Sequence, residues 1–312
     1  MTSPRALFVA FVSLSISVAS YSVSFPRYSL IPTQLLTGGS IDAINWLVER
    51  DETNQQVDDV LLWIAQQMPS DGAGCVVTSN AENAGRYTFA GMPSGGHRLN
   101  VLKNDGYIVG YDEARQNPAW VAYLLEYEAN ADTVKRPHGF KTDLRTSAKV
   151  AHQDYTNTGY DRGHMAPNYA IGRSHGAKAQ IETFLMSNIV PQMPELNRGP
   201  WKELEQRIAN DYLERFNELW IITGPIYSEQ SQRLAAGVVV PSSFFKILVD
   251  VVESGSVRVM AFEMPQQVGD DGLRAWLTSV DAIESKTGLD FLSLLDDTIE
   301  AKLEASKPSR LW

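Results

Sequence analysis

The sequence predicts an α+β fold, with a mixed or antiparallel sheet as its core. Short runs of aromatic and β-branched residues are bounded by Gly, Asn and Pro, as strands are. Other stretches repeat apolar residues every three to four positions, as helices do. The two kinds of segment do not alternate regularly, which argues against a parallel α/β sheet.

From the N-terminus, Arg5 precedes an apolar stretch at residues 6–19 that ends in Ser17-Val18-Ala19. This is the pattern of a secretory signal peptide over residues 1–20. The stretch is short for a bilayer, which needs about 20 apolar residues. A secreted or periplasmic protein, with no stable membrane association after cleavage, is therefore expected. Cys75 is the single cysteine, so no intrachain disulfide can form.

Residues 21–100 form an N-terminal extension of unknown role. Ser40 can cap a first helix, and Val57, Val60, Leu61 and Ile64 give a second its spacing. Residues 69–106 are rich in Gly, Ser, Asn and Asp and read as a loop or short hairpins. The main domain is expected at 101–305. Strands are predicted at 107–111 and 120–127, then a basic, turn-rich region at 135–158. Pro200-Trp201 opens a helix whose stripe is Trp201, Leu204, Ile208, Tyr212 and Phe216. Strands follow at 219–223, 237–240, 244–251 and 256–262. A helix near 279–287 and a Leu-rich segment at 291–295 close the chain.

A net charge of −10 opposes binding to polyanions. Yet residues 135–178 carry eight basic and three acidic side chains, whereas residues 22–100 carry four and eight. Screening acts over about 8 Å in physiological salt, so the local excess matters more than the total. There is no Gly-x-Ser-x-Gly elbow, paired-Cys zinc site or phosphate-binding Gly loop with its Lys. His97, His138, His152 and His175 lie in polar segments without ligand spacing, and read as solvated.

The basic stretch contains Tyr160-Asp161-Arg162-Gly163-His164-Met165-Ala166-Pro167. Phosphodiester hydrolysis needs an activated water, neutralised phosphoryl charge and help for the leaving oxygen. His164 suits a general base, and Gly163 would let the backbone turn to present it. Arg162 suits a phosphate. Asp161 could orient a neighbour or hold a metal-bound water. A second cluster, Leu196-Asn197-Arg198-Gly199-Pro200-Trp201, runs on to Glu205. Asn197, Trp201 and Glu205 at i, i+4, i+8 fall near one side of a helix. Asn197 offers a neutral oxygen to Mg²⁺, which keeps several waters, and Glu205 could hold one of them. The same residues could equally be a helix start with a solvated Glu205.

In their order and spacing these motifs resemble the DNA/RNA non-specific endonuclease family, whose active site is a ββα-metal finger. The likeness extends through Ser187-Asn188-Ile189-Val190-Pro191-Gln192 and covers about 100–300. The resemblance implies His164 as base, Asn197 as the one protein ligand of Mg²⁺ (or Mn²⁺), Arg162 on the phosphate and Glu205 on the metal's waters. Asp161 joins the catalytic set. Arg198 and Asn188 are candidate substrate contacts, Asn188 alternatively a brace for the finger together with Gln192. DNA and RNA are the implied substrates. The family commonly carries an Arg one turn after the Glu, where this chain has Ala209. A weakly active nucleic-acid binder on a nuclease scaffold, or a phosphodiesterase for small nucleotides, is the alternative.

Overall fold

The computed structural model describes residues 84–312, apart from 97, 129–134, 138 and 253–255. The signal peptide, both early helical stretches and Cys75 lie outside the described residues. Among the described residues, no helix is long and apolar enough to cross a membrane.

Seven antiparallel strands form the main sheet: β1 (Asn100–Asn104), β2 (Tyr107–Asp112), β3 (Asn117–Glu126), β6 (Glu218–Ile226), β7 (Ser243–Val251), β8 (Val257–Pro265) and β9 (Leu277–Thr278), neighbours in that order. Asp105-Gly106 closes the first hairpin, with Gly106 at φ +86°. Strands β2 and β7 are buried along their whole length, which explains their unbroken aromatic and aliphatic runs. Alternate residues face one large core: Val121, Tyr123 and Leu125 on β3, Leu219 and Ile221 on β6, Phe244 and Leu248 on β7. Each such buried side chain contributes about 1.5–3 kcal/mol.

A two-stranded ribbon lies apart from that sheet: β4 (Asp161–His164) against β5 (Ile189–Gln192), antiparallel, with His164 opposite Ile189. Helix α1 (Asn168–Glu182) connects them and is broken at Gly176, φ +84°. After β5 come α2 (Pro194–Arg198) and α3 (Pro200–Arg207), then a π-turn at Ile208–Tyr212 and α4 (Leu213–Phe216). Helices α5 (Val280–Thr287) and α6 (Asp297–Glu304) follow the sheet. The expected strand at 237–240 is absent. Its one β contact is a bridge from Val239 to Arg233, within a loop.

Packing runs past both limits drawn from sequence. Upstream, Phe89 tilts against Trp220, and Tyr87 accepts a hydrogen bond from Gly106 N–H at 2.9 Å. Downstream, Trp312 packs on Tyr212 and Phe216.

Candidate active site

The ribbon and the helices after it build one cleft of about 790 Å³. Asp161, Arg162, His164, Asn197, Arg198 and Glu205 all line it. The imidazole and the carboxamide 33 positions apart in sequence therefore converge.

His164 ends β4 with its ring wedged between Phe140, 5.3 Å away between centroids, and Phe184, 5.0 Å away and edge-on. Those rings are held by backbone pairing, Lys141 N–H to Phe184 O and Met186 N–H to Lys141 O. The imidazole Nε2 is buried without a hydrogen-bond partner among the described residues. Burial, reinforced by the Arg136 guanidinium, pushes His164 down to about 3. The ring is thus a neutral base at physiological pH.

Gly163 does not turn the chain. It sits within β4, where a Cβ would come 2.3 Å from Gln192 Oε1. Its service is close approach: the Gln192 side chain crosses the strand where a larger residue would stand. Asn188 is likewise corrected as a substrate contact. It is fully buried; Ala166 N–H donates to its Oδ1 at 2.8 Å, and its Nδ2 donates to Ala166 O and Thr183 O at 3.0 Å each. All its hydrogen-bonding capacity facing the chain is spent on bracing the segment after His164.

Asp161 orients neighbours. Its carboxylate accepts Asn197 Nδ2 at 2.9 Å and a two-pronged contact from Arg198, 2.8 and 2.7 Å. Burial pushes the Asp161 carboxyl up, but Arg198 and Asn197 outweigh it and hold the group below the usual range. With its NH₂ committed, Asn197 keeps Oδ1 without a donor among the described residues. A neutral oxygen fixed by its own amide partner fits a hard divalent cation.

Asn197 and Glu205 do not share a continuous helix. Gly199, at φ −99° and ψ −117°, separates α2 from α3. Both still reach the cleft. Arg162 donates to His152 O at 3.2 and 2.6 Å and to Thr156 Oγ1 at 3.2 Å, which leaves the Nη1 protons for a ligand. Arg198 is similarly left with Nη1. Ala209, buried on the π-turn, lines the cleft where an Arg would otherwise reach in, and the cations Arg136 and Lys202 line it too.

Lys246 is the residue that sequence reasoning missed. It sits on β7 in phase with Phe244 and Leu248 and is fully buried. Its ammonium donates to Glu205 Oε1 and to Tyr123 OH, 3.4 Å each, and lies 4.4 Å from the Trp201 ring centroid. Burial pushes the Glu205 carboxyl up and the Lys246 ammonium down, and each partner offsets part of the other's shift. The signal was present: a lysine in register with apolar residues on a strand buried on both faces needs a partner. His175 is also corrected. It is half-buried, and its Nε2 lies 2.7 Å from Leu124 O.

Comparison with known proteins gives the family and supports the fold. The family model described as DNA/RNA non-specific endonuclease matches residues 86–298. A nuclease from Nostoc sp. is 34% identical over 220 residues, spanning 66% of this chain and 77% of that protein. Human mitochondrial endonuclease G is 28% identical over 208 residues, 62% of this chain and 69% of its own. A crystal structure of an EndoG/EndoGI complex superposes with a TM-score of 0.61 at 26% identity, covering 71% of this chain and 95% of that one. The chain therefore belongs to the DNA/RNA non-specific endonuclease family, a family of metal-dependent nucleases, and is a nuclease that hydrolyses nucleic acids.

Proposed function

We propose that the protein is an exported endonuclease that requires Mg²⁺, and cuts DNA and RNA with His164 as general base. The observation that carries this reading is the joint opening of a neutral His164 and a carboxylate-anchored Asn197 on one cleft.

His164 takes a proton from a water as that water's oxygen attacks phosphorus. The phosphorus–O3′ bond breaks and the leaving O3′ takes a proton from a solvent water, giving 5′-phosphate and 3′-hydroxyl ends, while His164 returns its proton to solvent. Arg162 and Arg136 face the phosphoryl oxygens, and forked guanidinium groups suit them. Asp161 fixes the Asn197 amide, and its Oδ1 would hold the cation. Glu205, anchored by Lys246, would accept hydrogen bonds from waters on a bound cation. A bound divalent cation would supply Lewis-acid neutralisation of the phosphoryl charge. Contacts of this kind read phosphate and not base edges, which supports low sequence preference. Export rests on the N-terminal sequence pattern alone.

His164→Ala should lower plasmid nicking and RNA cleavage by about 10²–10⁴-fold, the usual contribution of a positioned base. Circular dichroism should be unchanged. EDTA should abolish cleavage by the unmodified chain, and Mg²⁺ should restore it. Full activity of the variant would remove His164 from the reaction. Activity in EDTA would remove the cation.

A further inference from the structure

A second set of carboxylates, none lining the cleft, gathers where α5 meets α6. Ser279 caps α5 by accepting Ala282 N–H, which begins the helix so that Asp281 and Glu284 fall one turn apart on the same face. Glu304, the last residue of α6, reaches them. One carboxylate oxygen from each of Asp281, Glu284 and Glu304 lies within 4.8 Å of the other two.

The three are unequal in exposure. Asp281 is exposed, Glu284 half-buried, and Glu304 only 6% exposed. Glu304 Oε1 is buried and has no hydrogen-bond partner among the described residues. Glu284 Oε1 is fixed by Phe291 N–H at 2.8 Å. The charged groups that act most strongly on Glu304 are Glu284, Glu300, Asp281 and Asp290, all acidic; burial first, then these, push its carboxyl up to about 8. Glu304 also sits at a helix C-terminus, the end where the backbone dipole disfavours negative charge. Lys286, the basic residue in the last turn of α5, is engaged with Glu263 at 2.6 Å.

A buried carboxylate oxygen among like charges takes up either a proton or a cation, and a Glu284–Glu304 hydrogen bond joins two of the three carboxyl groups. We propose that Asp281, Glu284 and Glu304 form a second cation site, distinct from the cleft, that binds Ca²⁺. All the ligand atoms are carboxyl oxygens, which suits a hard cation with a loose shell that displaces the shared protons. The open side at Asp281 leaves room for waters to complete it. The bound ion ties the C-terminal helix to α5 and so reinforces its packing against β8.

The test is thermal unfolding and calorimetric titration of the full chain with CaCl₂ alone. Wild type is compared with Glu304→Gln, which keeps shape and removes charge, and with Asp281→Asn at an exposed position that does not threaten folding. Wild type should gain about 5 °C in Tm at a Ca²⁺ concentration about 100 times its Kd. It should bind one more Ca²⁺ than Glu304→Gln. Asp281→Asn should lose most of the gain. Any cation in the cleft contributes equally to all three and cancels. Equal Tm gains and equal stoichiometry in wild type and both variants would overturn the proposal. So would the lack of any gain in wild type, which would mean that a proton alone neutralises the cluster.

Discussion

Glu205 and Glu304 are both carboxylates drawn out of water on helices beside the main sheet, but the fold treats them oppositely. Glu205 has a fully buried ammonium, Lys246, 3.4 Å away and rising from β7. Glu304 has no such cation among the described residues and is ringed by acids. The difference shows what each region is built for. At the cleft the charge is permanent, and the sheet carries its counter-ion as a covalent part of the chain. At the α5–α6 junction the neutralising proton or cation comes from solvent, so occupancy there can vary.

The comparison can be broken most forcefully at Lys246. Lys246→Met should leave Glu205 as an unpaired charge and destabilise the protein by about 3–5 kcal/mol, measured as a fall in the urea midpoint. Adding Glu205→Gln to that variant should recover most of the loss. Equal losses in the single and double variants would mean that Lys246 acts by packing alone.

His164 offers a sharper contrast, because it is dried by rings and not by a charge partner. An ordinary imidazole would be mostly protonated at pH 5.5 and cost about tenfold in rate. Held near 3, His164 should impose no such loss, and rates from pH 7 to about 5 should stay level. The stability consequence has a definite sign. The unfolded chain takes up this proton below about 6.5 and the folded chain only near 3, so stability contributed by the site is present above 6.5 and drains as pH falls between them. A rate limb centred at 6.5 that vanishes with His164→Gln would contradict the burial.

At Glu304 the sign of the stability change should reverse. Without divalent cations, at about pH 9 where the raised carboxyl is ionised, Glu304→Gln should stabilise the protein by about 1 kcal/mol, since it removes repulsion from the surrounding acids. A destabilised variant would place an unseen donor at that carboxylate. The smallest effect belongs to Ala209, whose side chain stops short in the cleft. Ala209→Arg should tighten plasmid binding by roughly 0.5–1 kcal/mol and steepen its salt dependence, as read from KM at two ionic strengths. An unchanged KM would show that Arg136 and Lys202 already saturate the phosphate contacts.

The residues that touch the cleft were largely legible because they are carried by short contiguous motifs. Asp161, Arg162, His164, Asn197 and Glu205 needed only the assumption that two segments meet. What escaped depends on neighbours distant in sequence. Gly163 reads as a turn until Gln192 is seen crossing it. Asn188 reads as a polar contact until its partners Ala166 and Thr183 exhaust it. The strands at 107–111, 120–127, 219–223, 244–251 and 256–262 declared themselves by composition, and each is observed within a few residues. Helix α1 did not, since Gly172, Gly176 and a scatter of polar residues give it no apolar stripe. The segment at 237–240 has strand composition, but its Val238 and Val240 are buried from a loop, against Val150, Met186 and Ile189.

The break at Gly199 has a mechanical meaning. Asn197 is fastened through Asp161 to the ribbon, and Glu205 through Lys246 to the seven-stranded sheet. A Cβ at 199 would strike Glu195 O at 2.4 Å, so only glycine can serve as the knuckle between them. Whatever grips both side chains at once clasps two separately anchored bodies, and catalytic assembly becomes the locking of a joint.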